Sequence, residues 1–163
     1  MRSSVLVLTL FVAISTNVLG QQLRNFYLDD INGETTAYNE IKGEKLTVID
    51  FWASWCKPCL KAMPKLEALR QKYSTQGVVL ISINADGSRS IAKVAPLVKS
   101  LGLNSSILID LDREVMSDLD IYQLPTLLIV NDQNNIVYRH EGYVEGDEQE
   151  VERHIKVLLA KHN

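Results

Sequence analysis

Two cysteines occur in the 163 residues, and they stand together as Cys56-Lys57-Pro58-Cys59. A pair so close in sequence closes too short a loop to restrict the unfolded chain much, so it points to chemistry rather than to a structural brace. The chemistry open to it is thiol–disulfide exchange, in which one thiolate attacks a disulfide and the second thiol resolves the mixed disulfide. Lys57 sets a positive charge beside Cys56, which favours the thiolate, and Pro58 suits the first turn of a helix. A four-thiolate metal site would need two further cysteines, and the histidines lie far off at 140, 154 and 162. No metal is expected.

Asp50 is the second informative residue. It interrupts the run Leu46-Thr-Val-Ile-Asp-Phe-Trp52, six residues before Cys56. Such a run suits a central parallel strand covered on both faces, where a carboxylate finds no water. Its pKa is expected to rise, making it a candidate proton acceptor for the thiol of Cys59. The competing reading is an aspartate at a strand end that simply reaches solvent. Pro125 is the third. It opens the apolar run at 126–130, and proline in a sheet is confined to a strand's start or an edge.

These groups need elements to position them. Leu60, Met63, Leu66, Leu69 and Tyr73 recur at steps of three and four, which predicts a helix directly after the cysteine pair, with Pro64 kinking it. Cys56 then falls at the helix N-terminus, where unpaired N–H groups favour a thiolate, and Cys59 lies shielded one turn further in. Residues 26–28 and 35–38 flank Asn32-Gly33 and predict a hairpin. A second buried strand is expected at 78–83 and a third at 107–109. Ser90 is expected to cap the helix between them, and a brief helix follows from 112 to 119. A second hairpin spans 126–140, and Asp147 with Glu150 suggests a capping box for the last helix. Strands alternating with helices argue an α/β sandwich around a mixed central sheet, with one βαβ unit beyond the minimum.

Charge and termini narrow the setting. The net charge is −3 and no Lys/Arg cluster is read as a phosphate-tracking stripe, so nucleic acid is not an expected partner. Arg2, the apolar stretch 5–14 and Val18-Leu19-Gly20 form the pattern of a secretory signal cut after Gly20, leaving one domain at 21–163. The rival reading is a retained membrane anchor, although the apolar stretch is shorter than the roughly 20 residues a span needs.

The order and spacing of Asp50-Phe-Trp-Ala-Ser-Trp-Cys56-Lys-Pro-Cys59, Pro64, Leu124-Pro125-Thr126 and Gly142 resemble the thioredoxin family over essentially the whole chain after residue 20. The export signal, first hairpin and extra βαβ unit look like its TlpA/ResA branch. That resemblance implies a thioredoxin fold and a thiol–disulfide oxidoreductase that reduces protein disulfides in an exported compartment, most simply the periplasm. It also implies no cofactor, with electrons arriving from a membrane-bound donor. Pro125 would be cis and face Cys56. Trp52, Trp55, Leu124 and Gly142 would line a shallow groove for the substrate, with Lys57 and Pro58 at its rim.

Two positions depart from the branch, and a third from general thioredoxins. Ala62 stands where many haem-maturation members carry Glu, Asp50 where they tend to carry a neutral residue, and Ser82 where thioredoxins place a lysine beside their buried aspartate. The first two favour a general disulfide reductase over a dedicated cytochrome c maturation thioredoxin. The peroxidase relatives of this fold need a Pro/Thr-rich loop before a single cysteine, which Ala53-Ser54-Trp55 does not supply. The alternative from another class is a redox-silent module that holds peptides in the same groove.

Overall fold

The computed structural model describes residues 20–161; the signal segment expected at 1–20 lies outside them except for Gly20. Seven strands form one mixed sheet in the order β2-β1-β5-β4-β3-β6-β7. Their spans are β1 Tyr27–Asp30, β2 Thr35–Ala37, β3 Leu46–Trp52, β4 Val78–Asn84, β5 Ser106–Ile109, β6 Thr126–Asn131 and β7 Ile136–Glu141. The helices are α1 Tyr38–Ile41, α2 Lys57–Tyr73, α3 Val94–Ser100, α4 Glu114–Asp118 and α5 Asp147–Ala160.

β3 is the centre of the sheet. It pairs in parallel with β4 and antiparallel with β6, and all seven of its residues are buried. Because side chains alternate across a strand, Ile49 and Phe51 join a core on one face with Ile81, Ile83 and Leu128. Val48 and Trp52 point to the other face, under α2, where they join two clusters with Leu66, Met63 and the cysteines. Asp50 lies between Val48 and Trp52 in that alternation, so the period of two directs its carboxylate toward the helix that carries the cysteines.

The extra βαβ unit has a structural task. β5 runs parallel to β4 and antiparallel to β1, so it joins the first hairpin to the rest of the sheet. Its helix is shorter than expected: residues 91–93 form a 3₁₀ turn before α3, and the Ser90 side chain makes no capping bond. Its hydroxyl donates to the Gly87 carbonyl instead. Residues after Ala37 turn into α1 rather than extending the strand. The capping box at Asp147 is also corrected. Gly146, in the left-handed region, precedes α5, while the Asp147 carboxylate accepts from the Val144 N–H and meets His140 at 3.0 Å. Glu150 pairs with Arg153. Here tertiary and loop partners outcompete the local cap.

No described helix is long and apolar enough to cross a membrane.

Candidate active site

β3 ends at Trp52, and after three intervening residues the chain enters α2 through Cys56. Cys56 is the N-cap: its backbone is extended, and its Sγ accepts the Cys59 N–H at 3.3 Å. A thiolate at this place therefore meets an oriented N–H at the positive end of a 17-residue helix. Lys57 and Pro58 occupy the first turn, both exposed. Cys56 and Cys59 are joined as a disulfide with Cα atoms 5.3 Å apart. Cys56 is 5% exposed and Cys59 is fully enclosed, so an approaching group meets Cys56 first.

The sheet beneath holds Asp50, 1% exposed, with neither carboxylate oxygen hydrogen-bonded. Burial with no compensating donor pushes its pKa up to about 7. The neighbouring strands offer no cation: in register with Asp50 stand Ser82 on β4 and Leu127 on β6. Beside the carboxyl is a cleft of about 20 Å³, enough for one water, with Ala62, Pro125, His140 and Gly142 in its wall. Ala62 leaves this space open where a longer side chain would fill it.

At the start of β6 the Leu124–Pro125 peptide is cis. Its carbonyl side is fixed by the Gly142 N–H, which donates to the Pro125 oxygen at 2.8 Å from a left-handed backbone (φ +84°) that suits glycine. Leu124 packs on the cluster that contains Trp52, Cys56 and Cys59. The structure thus gathers Trp52, both cysteines and Leu124 in one cluster, and sets Asp50, Pro125 and Gly142 around the adjoining cleft. Trp52 is wholly buried, so it supports the site from below, whereas Trp55 is 61% exposed on the rim.

One part of the site escaped the sequence reading. Asp86, just past β4, is fully buried and grips the loop before Cys56: the Ser54 N–H and hydroxyl donate to it at 2.6 and 2.8 Å, and the Asn84 amide at 2.8 Å. The Ala85 N–H also reaches the Trp52 carbonyl at 2.8 Å. Burial alone raises the Asp86 pKa, but donors from Ser90, Ser54 and Asn84 together outweigh it and hold the carboxyl below its ordinary range. A polar Asn-x-Asp after an apolar strand was the available signal. Its partner 32 residues earlier was not readable from spacing.

Comparison with known proteins agrees with this geometry. The model of the AhpC/TSA family matches residues 19–139. The thiol-disulfide oxidoreductase ResA of Bacillus subtilis is 34% identical over 118 residues, 72% of this chain and 64% of that protein, so the match spans a little under two thirds of that relative. ResA of Halalkalibacterium halodurans is 34% identical over 139 residues, 85% of this chain and 76% of its own. Among solved structures, a putative thiol:disulfide interchange protein DsbE from Chlorobium tepidum superposes with a TM-score of 0.78 at 21% identity, covering 86% of this chain and 96% of its own. That last likeness establishes the shared fold.

Proposed function

The chain belongs to the AhpC/TSA family of thioredoxin-like proteins, and from that premise we propose that it is an exported thiol–disulfide oxidoreductase that reduces protein disulfides through Cys56 and Cys59. The observation that carries the reading is a CxxC pair at the mouth of α2, with Cys56 Sγ accepting a helix N–H above an unpartnered buried carboxylate.

In the reduced protein the Cys56 thiolate attacks one sulfur of a substrate disulfide. That S–S bond breaks, the other substrate sulfur leaves as a thiolate, and a mixed disulfide joins Cys56 to the substrate. Asp50 accepts the proton of Cys59, directly or through a water in the adjoining cleft. The Cys59 thiolate then attacks Cys56 Sγ, and the substrate departs with two electrons. The Cys56–Cys59 disulfide is the product form. Its re-reduction requires two electrons from an upstream partner, for which a membrane-bound dithiol donor is the proposal. Export rests on the pattern of residues 1–20. Ala62, and the carboxylate at Asp50, favour a general reductase over a dedicated cytochrome c maturation role.

Insulin reduction with dithiothreitol as electron source tests the activity. The protein is expected to accelerate precipitation of the insulin B chain and Cys56→Ser to abolish the effect. Cys59→Ser is expected to trap substrate on Cys56. No acceleration by the wild-type protein would leave only a peptide-holding module.

A further inference from the structure

Lys57, Lys61 and Lys65 follow one another at steps of four along α2, and all three are exposed. Side chains four apart on a helix are neighbours, so the three ammonium groups form one row about 12 Å long. None has an ion-pair partner among the described residues. Arg24, Arg70, Lys72, Arg139, Arg153 and Lys156 are each paired with a carboxylate, whereas Arg89, Lys93 and Lys99, like the α2 row, form no ion pair among the described residues. The chain as a whole carries −3, yet the helix at whose mouth the reactive sulfur sits presents a positive edge, tempered only at Lys65 by the field of Glu148.

The row borders a groove of about 720 Å³ that begins at Lys57 and Pro58, the two residues between the cysteines. Its other wall is the loop between β7 and α5, with Tyr143, Val144 and Glu145. Val144 is 69% exposed, and so contributes an apolar spot without covering it. The acids on that side are Glu145, with Asp147 and Glu148 just beyond it, and Lys65 lies near enough to Glu148 to help lower its pKa. Glu148 is occupied by the Tyr143 hydroxyl and the Gly146 N–H. The groove is therefore cationic on the α2 side, apolar at its middle and acidic only on the far wall.

We propose that this groove selects the substrate: the protein prefers polypeptides that carry acidic residues beside the disulfide, read by Lys57, Lys61 and Lys65. The inference rests on the reductase reading above and names its substrate class. Charge complementarity commits the occupant. An acidic segment lying along α2 meets three unpaired ammonium groups, whereas a basic one is repelled by the same row. A polypeptide suits the site because the groove is concave and begins at Lys57 and Pro58, next to Cys56 in the chain, where a flat anionic surface would cover the sulfur that has to react. Clefts of a single sign raise on-rates for an opposite-sign partner by about 10–1,000-fold, and an exposed row that faces an acidic wall belongs at the low end.

The test uses two peptides with the same intramolecular disulfide, one flanked by Glu residues and one by Gln, reduced by the pre-reduced full protein under stopped flow. The acidic peptide is expected to react about tenfold faster at roughly 20 mM salt, and the advantage to collapse at roughly 500 mM. In the Lys61→Gln/Lys65→Gln variant the ratio is expected to fall to about twofold. Lys57 is kept there, so the charge beside Cys56 is unchanged. Lys61→Glu/Lys65→Glu is expected to reverse the preference toward a Lys-flanked peptide. Equal, salt-independent rates for both peptides would overturn the proposal and leave the reductase reading intact. Equal rates together with co-sedimentation on phosphatidylserine vesicles would overturn it in favour of a membrane surface. Failure of the wild-type protein to reduce either peptide would overturn the reductase reading itself.

Discussion

Two buried aspartates flank the same loop and have opposite fates. Asp50 in β3 and Asp86 just past β4 are 1% and 0% exposed, and the strands that carry them pair in parallel. Asp86 collects three donors within 2.8 Å and is held ionised below its ordinary pKa range. Asp50 collects none and is pushed up to about 7. Burial is common to both, so it is the supply of donors that separates a structural carboxylate from a titrating one. The first ties down the loop from which Cys56 emerges. The second can take and return a proton near neutral pH beneath the cysteine pair.

The two should respond to mutation with opposite signs. Asp86→Ala removes charge-assisted hydrogen bonds and strands the Ser54 N–H and the Asn84 amide, so it is expected to cost about 2–4 kcal/mol of stability. Urea denaturation at pH 7 measures this. A loss below about 0.5 kcal/mol would mean that the loop is held by other contacts. For a carboxyl with a lowered folded pKa, the stabilisation is present above the unfolded value of 3.8 and fades as pH falls through the folded one.

Asp50→Asn is expected to go the other way, by a smaller amount. The unfolded state releases the proton near 3.8 and the folded state near 7, so the native protein binds more protons throughout that window and loses stability as pH rises across it. Removing the carboxylate relieves this cost. The variant is expected to exceed wild type by about 1–3 kcal/mol at pH 8, with the gap closing toward pH 4. Melts at pH 4, 6 and 8 give the comparison. A gap that does not depend on pH would show that Asp50 is not the group with the raised pKa.

Much of the site was legible along the chain because it is local. The run 46–52 is apolar throughout, so its single carboxylate stood out, and β3 spans those same residues. The three- and four-residue steps after Cys59 marked α2, and the cysteine spacing set Cys56 at its mouth. What stayed hidden depends on contacts between distant segments. Asp86 reads as a solvated strand end until Ser54 is seen against it, 32 residues away. Asp147 satisfies every local rule for a helix cap and instead meets His140 from the neighbouring strand. The lysines at 57, 61 and 65 are not consecutive, so no basic stripe is visible along the chain. Only the turn of α2 and the loop facing it make them the edge of a groove.

The central claim is that Asp50 removes the proton of Cys59, and it is tested at the step where that proton moves. Mixed disulfide between Cys56 and a peptide can be formed by rapid mixing and its resolution followed by quenched flow from pH 5 to 9. In wild type the resolution rate is expected to rise with a midpoint near 7, where Asp50 titrates. In Asp50→Asn, formation of the mixed disulfide is expected to proceed nearly as before, while resolution slows about ten- to a hundredfold and that midpoint disappears. Resolution at the wild-type rate, with the same pH profile, would contradict the account and return Asp50 to a passive buried charge.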